Sequence, residues 1–406
     1  MPSNQTNFKF AIKDSSGAAT STIVDMGDMF VPLNMFLPSS LFAWGSNYSY
    51  GALGNASSAY YSSPIQIGTL SNWKTISGVS QGAYALKTDG TIWSWGYNAF
   101  GQLGNGTTTN YSSPIQIGTL SNWNYISSGW GHMTALKNDG TLWVWGFNGS
   151  GQLGDGTTAS KSSPLQIGSN QYTLVSGVGY SSYAIDTTGA LWAWGNNNVA
   201  QLGLGDLTNR SVPTQVGTST DWQILSQGAT STTIPIMAGI KEDGTLWTWG
   251  NNTVFGWLGI GLSAVATYAS PIQVGTLTNW RSVAVMPTGT IATKTDGTLW
   301  IWGQNTNGML GIGSSSMTVS YSSPIQIGAL TNWKSIVTVP GSSSILAVKT
   351  DGSLWFWGGS FFGESGFYTS ASVYYSSPVQ VGSLTSWRLI KGGGASSYGI
   401  ISPDLY

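Results

Sequence analysis

The chain contains no cysteine, one histidine and two glutamates among 406 residues, and Asp, Glu, Lys and Arg together make up only 7% of it. Each shortage removes a class of chemistry. Without cysteine there is no thiol nucleophile, disulfide or thiolate metal site. His132, Glu242, Glu364 and thirteen Asp, five of them spent in Asp-Gly turns between apolar runs, leave little for general acid–base work, so no catalytic residue is expected. No His/Asp/Glu cluster has the spacing of a metal site, and neither metal nor cofactor is expected. Fourteen basic residues against fifteen acidic give a net charge of −1 without a basic stripe, which argues against a nucleic-acid partner. No run of about 18 apolar residues exists for membrane insertion. Residues 1–28, broken by Lys9, Lys13, Asp14 and Asp25, do not read as a secretory signal.

Aromatics, at 13%, and glycines, at 56, are abundant, and they repeat. Trp-Gly recurs at Trp44, Trp95, Trp145, Trp194, Trp249, Trp302 and Trp357, spaced by 51, 50, 49, 55, 53 and 55 residues. Around each stands the same order of signals: ALKTDGTIWSWG (85–96), GQLG (101–104), SSPIQIG (112–118) and Asn-Trp (122–123). Nineteen of the 21 tryptophans are in register, and Trp130 and Trp257 are not. Asp-Gly between two apolar runs suits a tight hairpin turn that needs positive φ. The strand that follows places its two Trp on one face and an aliphatic residue on the other, so both faces must be covered. A four-stranded sheet between two like sheets, as in a propeller blade, meets that demand. SSPIQIG reads as the outer strand, because Pro cannot donate to a ladder and is tolerated at an edge. The GQLG and GNG runs lack the Lys-Ser/Thr of a phosphate loop.

The first unit, LFAWG (41–45), lacks its upstream strand and its Asp-Gly turn, and the last ends in SSYGIIS (396–402) with no Trp-Gly after it. Pairing the two halves closes a ring with no open edge. The expected fold is therefore all-β: a seven-bladed β-propeller over residues 41–406, closed by N- and C-terminal strands sharing one blade and preceded by a short arm at 1–40.

The repeated [LI]-K-x-D-G-T-[LI]-W-x-W-G followed by N-x-x-G-Q-L-G resembles the repeat of the regulator of chromosome condensation family, over residues 41–406. The resemblance implies the same seven-bladed closure. It also brings the family's functions into view, among them guanine-nucleotide exchange on a small GTPase, light sensing, and protein or glycan binding. Residues 1–40 have a net charge of −1 where the family's chromatin-binding member carries a basic tail. The family's Gly-x-x-His-x-x-Ala-Leu survives at Gly129–Leu136, which makes His132 a packed relic of the repeat. Trp130 is followed by Gly131, not by the arginine of the ultraviolet photoreceptor signature.

One ring of equivalent positions is a candidate contact surface. Tyr61, Tyr111, Lys161, Arg210, Tyr268, Tyr321 and Tyr375 precede the Pro-bearing strand in the seven units and fall on one rim. Tyr and Arg are enriched in binding hot spots, although each Tyr could instead pack over its own Pro. The arm combines a hairpin around Asp14–Gly17 with the apolar Met26, Met29, Phe30, Val31, Leu33, Met35 and Phe36, suited to docking in an assembly. Few charges, much Gly, Ser, Thr and Asn, and a leader ending in a Met-Phe-Val-Pro step resemble structural proteins of tailed-phage virions. The expectation is a non-enzymatic virion protein, attached to other virion structural proteins through the arm and presenting its rim to a host glycan or protein. The alternatives are an extracellular or cell-surface adhesin, an exchange factor for a small GTPase, and a carbohydrate-active enzyme.

Overall fold

In a computed structural model the chain divides into two compact units, Met1–Leu37 and Pro38–Tyr406. The structure describes residues 12–13, 19–20, 39–47, 50–226, 236–253, 255–262, 265–339, 341, 343–367 and 372–401. In the first unit Ile12–Lys13 pairs antiparallel with Ala19–Thr20, the two sides of the expected hairpin. The apolar arm residues from Met26 to Phe36 lie outside the described residues.

The second unit is a ring of seven antiparallel meanders. Blade 2 is representative: Trp73–Val79, Gly82–Lys87, Ile92–Gly96 and Tyr111–Gln116 follow one another in sequence and in space. The third strand carries the Trp-x-Trp-Gly pattern, and both of its Trp turn to the face expected. In blade 3, Trp143 and Trp145 each lie against Trp123 of the first strand, with centroids 5.7 and 6.1 Å apart. The fourth strand, holding Pro114, is a sheet edge, where a missing N–H costs the ladder nothing.

Each hairpin between second and third strands is held by its Asp. Asp89 Oδ1 accepts from the N–H and the hydroxyl of Thr91 at 2.9 and 2.7 Å, and Thr91 Oγ1 accepts from Trp93 Nε1. The pattern recurs at Asp139, Asp243, Asp296 and Asp351. The lysine two residues before each Asp lies over the same tryptophans. Lys349 Nζ, for example, is 3.4 Å from the Trp355 centroid and 4.9 Å from that of Trp333.

GQLG has a packing role between blades. The indole N–H of the next unit's Trp donates to the carbonyl of the residue before Leu: Trp95 to Ala52, Trp194 to Gln152, Trp249 to Gln201, Trp302 to Trp257 and Trp357 to Met309, at 2.7–3.1 Å. Trp145 is the exception: the Gln102 carbonyl accepts from the Tyr84 hydroxyl, as those of Ala52 and Gln201 do from Tyr398 and Tyr183, but Trp145 Nε1 has no partner. The closing glycine lies flat on the same ring. A Cβ at Gly154, whose φ is +74°, would sit 2.8 Å from Trp194 Nε1. The buried Asn148 braces the loop, accepting from Leu153 N and donating to the carbonyls of Thr157 and Ala159.

Closure is as the half-blades require. Ser396–Ile401 pairs with Ser40–Gly45 along its whole length, placing Trp387–Gly392, Ser396–Ile401, Ser40–Gly45 and Tyr61–Gln66 in one sheet, blade 1. The indole of Trp44 donates to the Glu364 carbonyl of blade 7 at 2.8 Å, so the clasp also runs across the joint. One feature departs from seven separate sheets. Lys161–Val178 is a single 18-residue strand, the fourth of blade 3 and the first of blade 4, which joins them into a seven-stranded sheet. The connection Gly168–Tyr172 is one residue shorter than Gly118–Trp123 and carries Tyr where the other blades carry Trp.

First strands line the axis, and small hydroxyl residues link them from blade to blade. Ser77 and Ser128 hydroxyls lie 2.7 Å apart, Ser127 Oγ accepts from Gly177 N, and Ser176 Oγ donates to Ser226 O. The cavity left between Ser77, Ser127, Thr338 and Lys391 is about 20 Å3, room for about one water and not for a ligand.

Candidate binding site

The seven rim positions are equivalent in register. Tyr61, Tyr111, Lys161, Arg210, Tyr268, Tyr321 and Tyr375 each stand opposite the glycine of a Trp-Gly pair, from Gly45 in blade 1 to Gly358 in blade 7. All are half-buried. Tyr375 packs on Phe356 and Phe367 with centroids 5.7 and 4.9 Å away, and Tyr321 bridges two core clusters. The two cations have local partners. Lys161 pairs with Asp155 at 3.2 Å and Arg210 with Asp206 at 2.5 Å, and those two loops alone place an Asp there. More exposed are Tyr60 and Tyr374, at 57% and 51%, which the spacing argument passed over.

Groups with chemistry are mostly consumed by the fold. In each Asp-Gly turn the hydroxyl two residues on, joined by its N–H, holds the carboxylate below the usual Asp range. His132 is fully buried, and burial pulls it down to about 3. Its Nε2 lies 2.8 Å from Ser182 Oγ, whose own proton goes to the Gln152 carbonyl. Nε2 must therefore carry the hydrogen, and His132 is a neutral donor inside a blade. Glu364 is fully buried, and its carboxylate accepts from the N–H groups of Phe361 and Phe362. Among the described residues no three of His, Cys, Asp and Glu come together as a metal site.

The two ends of the propeller differ in character. The turns between second and third strands lie at one end, with their Asp-Gly pairs, the lysines before them and the Lys74, Arg281, Lys334 and Arg388 that begin the first strands. The other two sets of connections lie at the opposite end, and their only charged residues are Asp155, Asp206 and Glu364. Two of these are ion-paired and the third is buried, so the described connections there present no unbalanced charge; Lys391, near the end of the blade 1 first strand, lies at the axial cavity, where burial pulls its amine down to about 8.

On that uncharged end lies a continuous series of half-exposed aromatic rings. Tyr50, Tyr97, Phe100 and Phe147 come from connections between third and fourth strands, and Trp130 and Tyr180 from turns between first and second strands. Centroids are 4.7 Å apart for Tyr50–Tyr97, 6.1 Å for Tyr97–Phe100, 4.9 Å for Phe100–Phe147 and 5.5 Å for Phe147–Tyr180. Trp130 touches Phe100, Phe147 and Tyr180 at 6.1, 5.9 and 5.2 Å. Gly149 makes room, since a Cβ there would lie 2.6 Å from Phe147 Cζ. The signal in the sequence was Trp130 standing out of register, together with aromatics directly after Trp-Gly at Tyr97 and Phe147.

Comparison with known proteins agrees with this architecture. Models of the Regulator of chromosome condensation (RCC1) repeat match residues 89–136, 139–181, 188–233 and 296–346, and a second such model matches 73–102 and 124–152, together just over half of the chain. Yeast RCC1 (Prp20), solved bound to Kap60, is 18% identical with a TM-score of 0.78, covering 90% of this chain and 89% of that one. Prp20p from Saccharomyces cerevisiae, described with its binding properties to Gsp1p and histones, gives 19%, 0.75, 90% and 91%. Human WBSCR16 gives 19% and 0.76, covering 91% of this chain and all of the other.

Proposed function

Because the chain belongs to the Regulator of chromosome condensation (RCC1) repeat family, a propeller family, we propose that it is a binding protein without catalytic activity, displayed on a virion and attached there through residues 1–40. The observation that carries the reading is how the reactive groups are spent. The turn aspartates cap hairpins, His132 and Glu364 are sealed inside blades, and the exposed loops are left with amides, hydroxyls and aromatic rings. Such a surface recognises more readily than it reacts. The virion setting is supported by the sparse charge and by the resemblance of the leader and composition to phage structural proteins.

Sedimentation and mass spectrometry of the chain purified gently from its source test the reading. Co-migration with capsid or tail proteins is expected, and a chain lacking residues 1–37 should remain folded while losing that association. A small complex with a GTPase, and accelerated nucleotide release from it, would replace this reading with exchange activity.

A further inference from the structure

We propose that the aromatic series Tyr50–Tyr97–Phe100–Phe147–Tyr180, with Trp130 beside it, is a binding site for an uncharged oligosaccharide. The inference rests on the reading of this propeller as a displayed binding surface and names its ligand and its place.

Three observations converge. The rings form one uninterrupted series across blades 1 to 4, and half-exposed aromatics offer the apolar faces on which the C–H side of a sugar stacks. The described connections at that end carry no unbalanced charge, because Asp155 and Asp206 are paired and Glu364 is buried, and Lys391 is set in the axial cavity rather than among the rings. An acidic glycan, a phosphate or a charged peptide would find nothing there to offset its desolvation, whereas a neutral one needs no counter-charge. Finally, neutral polar residues adjoin the series: the Gln81 carbonyl accepts from Tyr97 N, and Asn196 N donates to the Tyr180 carbonyl. Neighbouring rings are inclined by 48–81°. Such a corrugated series suits a chain whose successive rings change orientation better than one flat ligand. Tyr180 adds to the picture, its phenol pushed above the ordinary range by burial.

The test is calorimetric titration of the full chain with maltohexaose, cellohexaose and hexa-N-acetylchitohexaose, beside a hyaluronan hexasaccharide of similar length. At least one neutral hexamer should bind, with affinity little changed between 0.05 and 0.5 M NaCl, and the hyaluronan should not. Trp130→Ala and Tyr97→Ala should each weaken binding by about tenfold or more, the loss expected of an aromatic anchor. Trp130→Phe, which keeps a ring face, should retain most of it, and melting curves verify that every variant is folded. No binding by any neutral hexamer, or binding unchanged in the two alanine variants, would overturn the proposal. So would a proline-rich peptide titrating in their place, or self-association of the chain abolished by Trp130→Ala. Co-migration with the virion is measured on the same variants. Intact co-migration without sugar binding sinks this inference alone, and sugar binding by a chain absent from the virion sinks the virion reading alone.

Discussion

At the residue scale, conformation and close contact separate cleanly at the glycines. Gly154 and Gly168 both have positive φ, at +74° and +57°, yet a Cβ on the first meets the Trp194 ring while a Cβ on the second meets nothing within 4 Å. Gly168→Ala should therefore cost only the backbone penalty, about 1 kcal/mol. Gly154→Ala must add displacement of a buried indole and its hydrogen bond, bringing the loss to about 3 kcal/mol by denaturant unfolding. Equal losses in the two variants would mean that the clasp between blades is not what the glycine preserves. His132 gives a second test, with a definite sign. Its folded value of about 3 lies below the unfolded value of about 6.5, so the unfolded chain takes up a proton first. Its contribution is fully present above pH 6.5 and is lost as pH falls toward 3, about 2 kcal/mol by pH 5. Unfolding free energies at pH 7 and pH 5 should differ by that amount in the natural chain and much less in His132→Gln. Carboxylates titrate lower and leave this window clear.

At the scale of one element, the loop after Trp-Gly shows what sequence reading reached and what it passed over. Asp-Gly turns, the edge position of the Pro-bearing strand and the seven-fold register were all legible, because they depend on local backbone chemistry and on period. The joining of blades 3 and 4 was not, since it depends on a connection one residue shorter, where Tyr172 replaces Trp. Nor was the reason for two cations among the rim tyrosines. Asp155 and Lys161 occupy the places held in blade 2 by Asn105 and Tyr111, so the pair substitutes for an amide and a ring. Lys161→Tyr alone would leave the mostly buried Asp155 carboxylate without its cation, whereas Lys161→Tyr with Asp155→Asn restores the neighbouring blade's arrangement. A double-mutant cycle in urea should give a coupling of about 1 kcal/mol, with the double variant more stable than Lys161→Tyr alone. Additive effects would show that the ion pair contributes nothing beyond its separate halves.

At the scale of the whole molecule, closure was legible and sidedness was not. Two half-blades at the ends of a repeat array have one economical solution, whereas the grouping of Tyr97, Trp130, Phe147 and Tyr180 on the uncharged end joins residues from three blades. Their proximity depends on which connections share an end, and that follows only once the meander is placed. Closure itself makes the strongest demand on the ring. Ser396–Ile401 is central in blade 1, pairing on one side with Trp387–Gly392 and on the other with Ser40–Gly45, and Trp44 reaches back to Glu364. A chain ending at Gly392 would expose two facing edges and the buried Phe42 and Trp44. Unpaired edges of that kind recruit strands from other molecules. The truncated chain should lose several kcal/mol in denaturant unfolding and sediment as dimers and larger species, and a peptide spanning 393–402, added in excess, should return it toward monomer by supplying the missing strand. A truncated chain that stayed monomeric with unchanged unfolding would show that the remaining six blades hold the ring without its shared sheet.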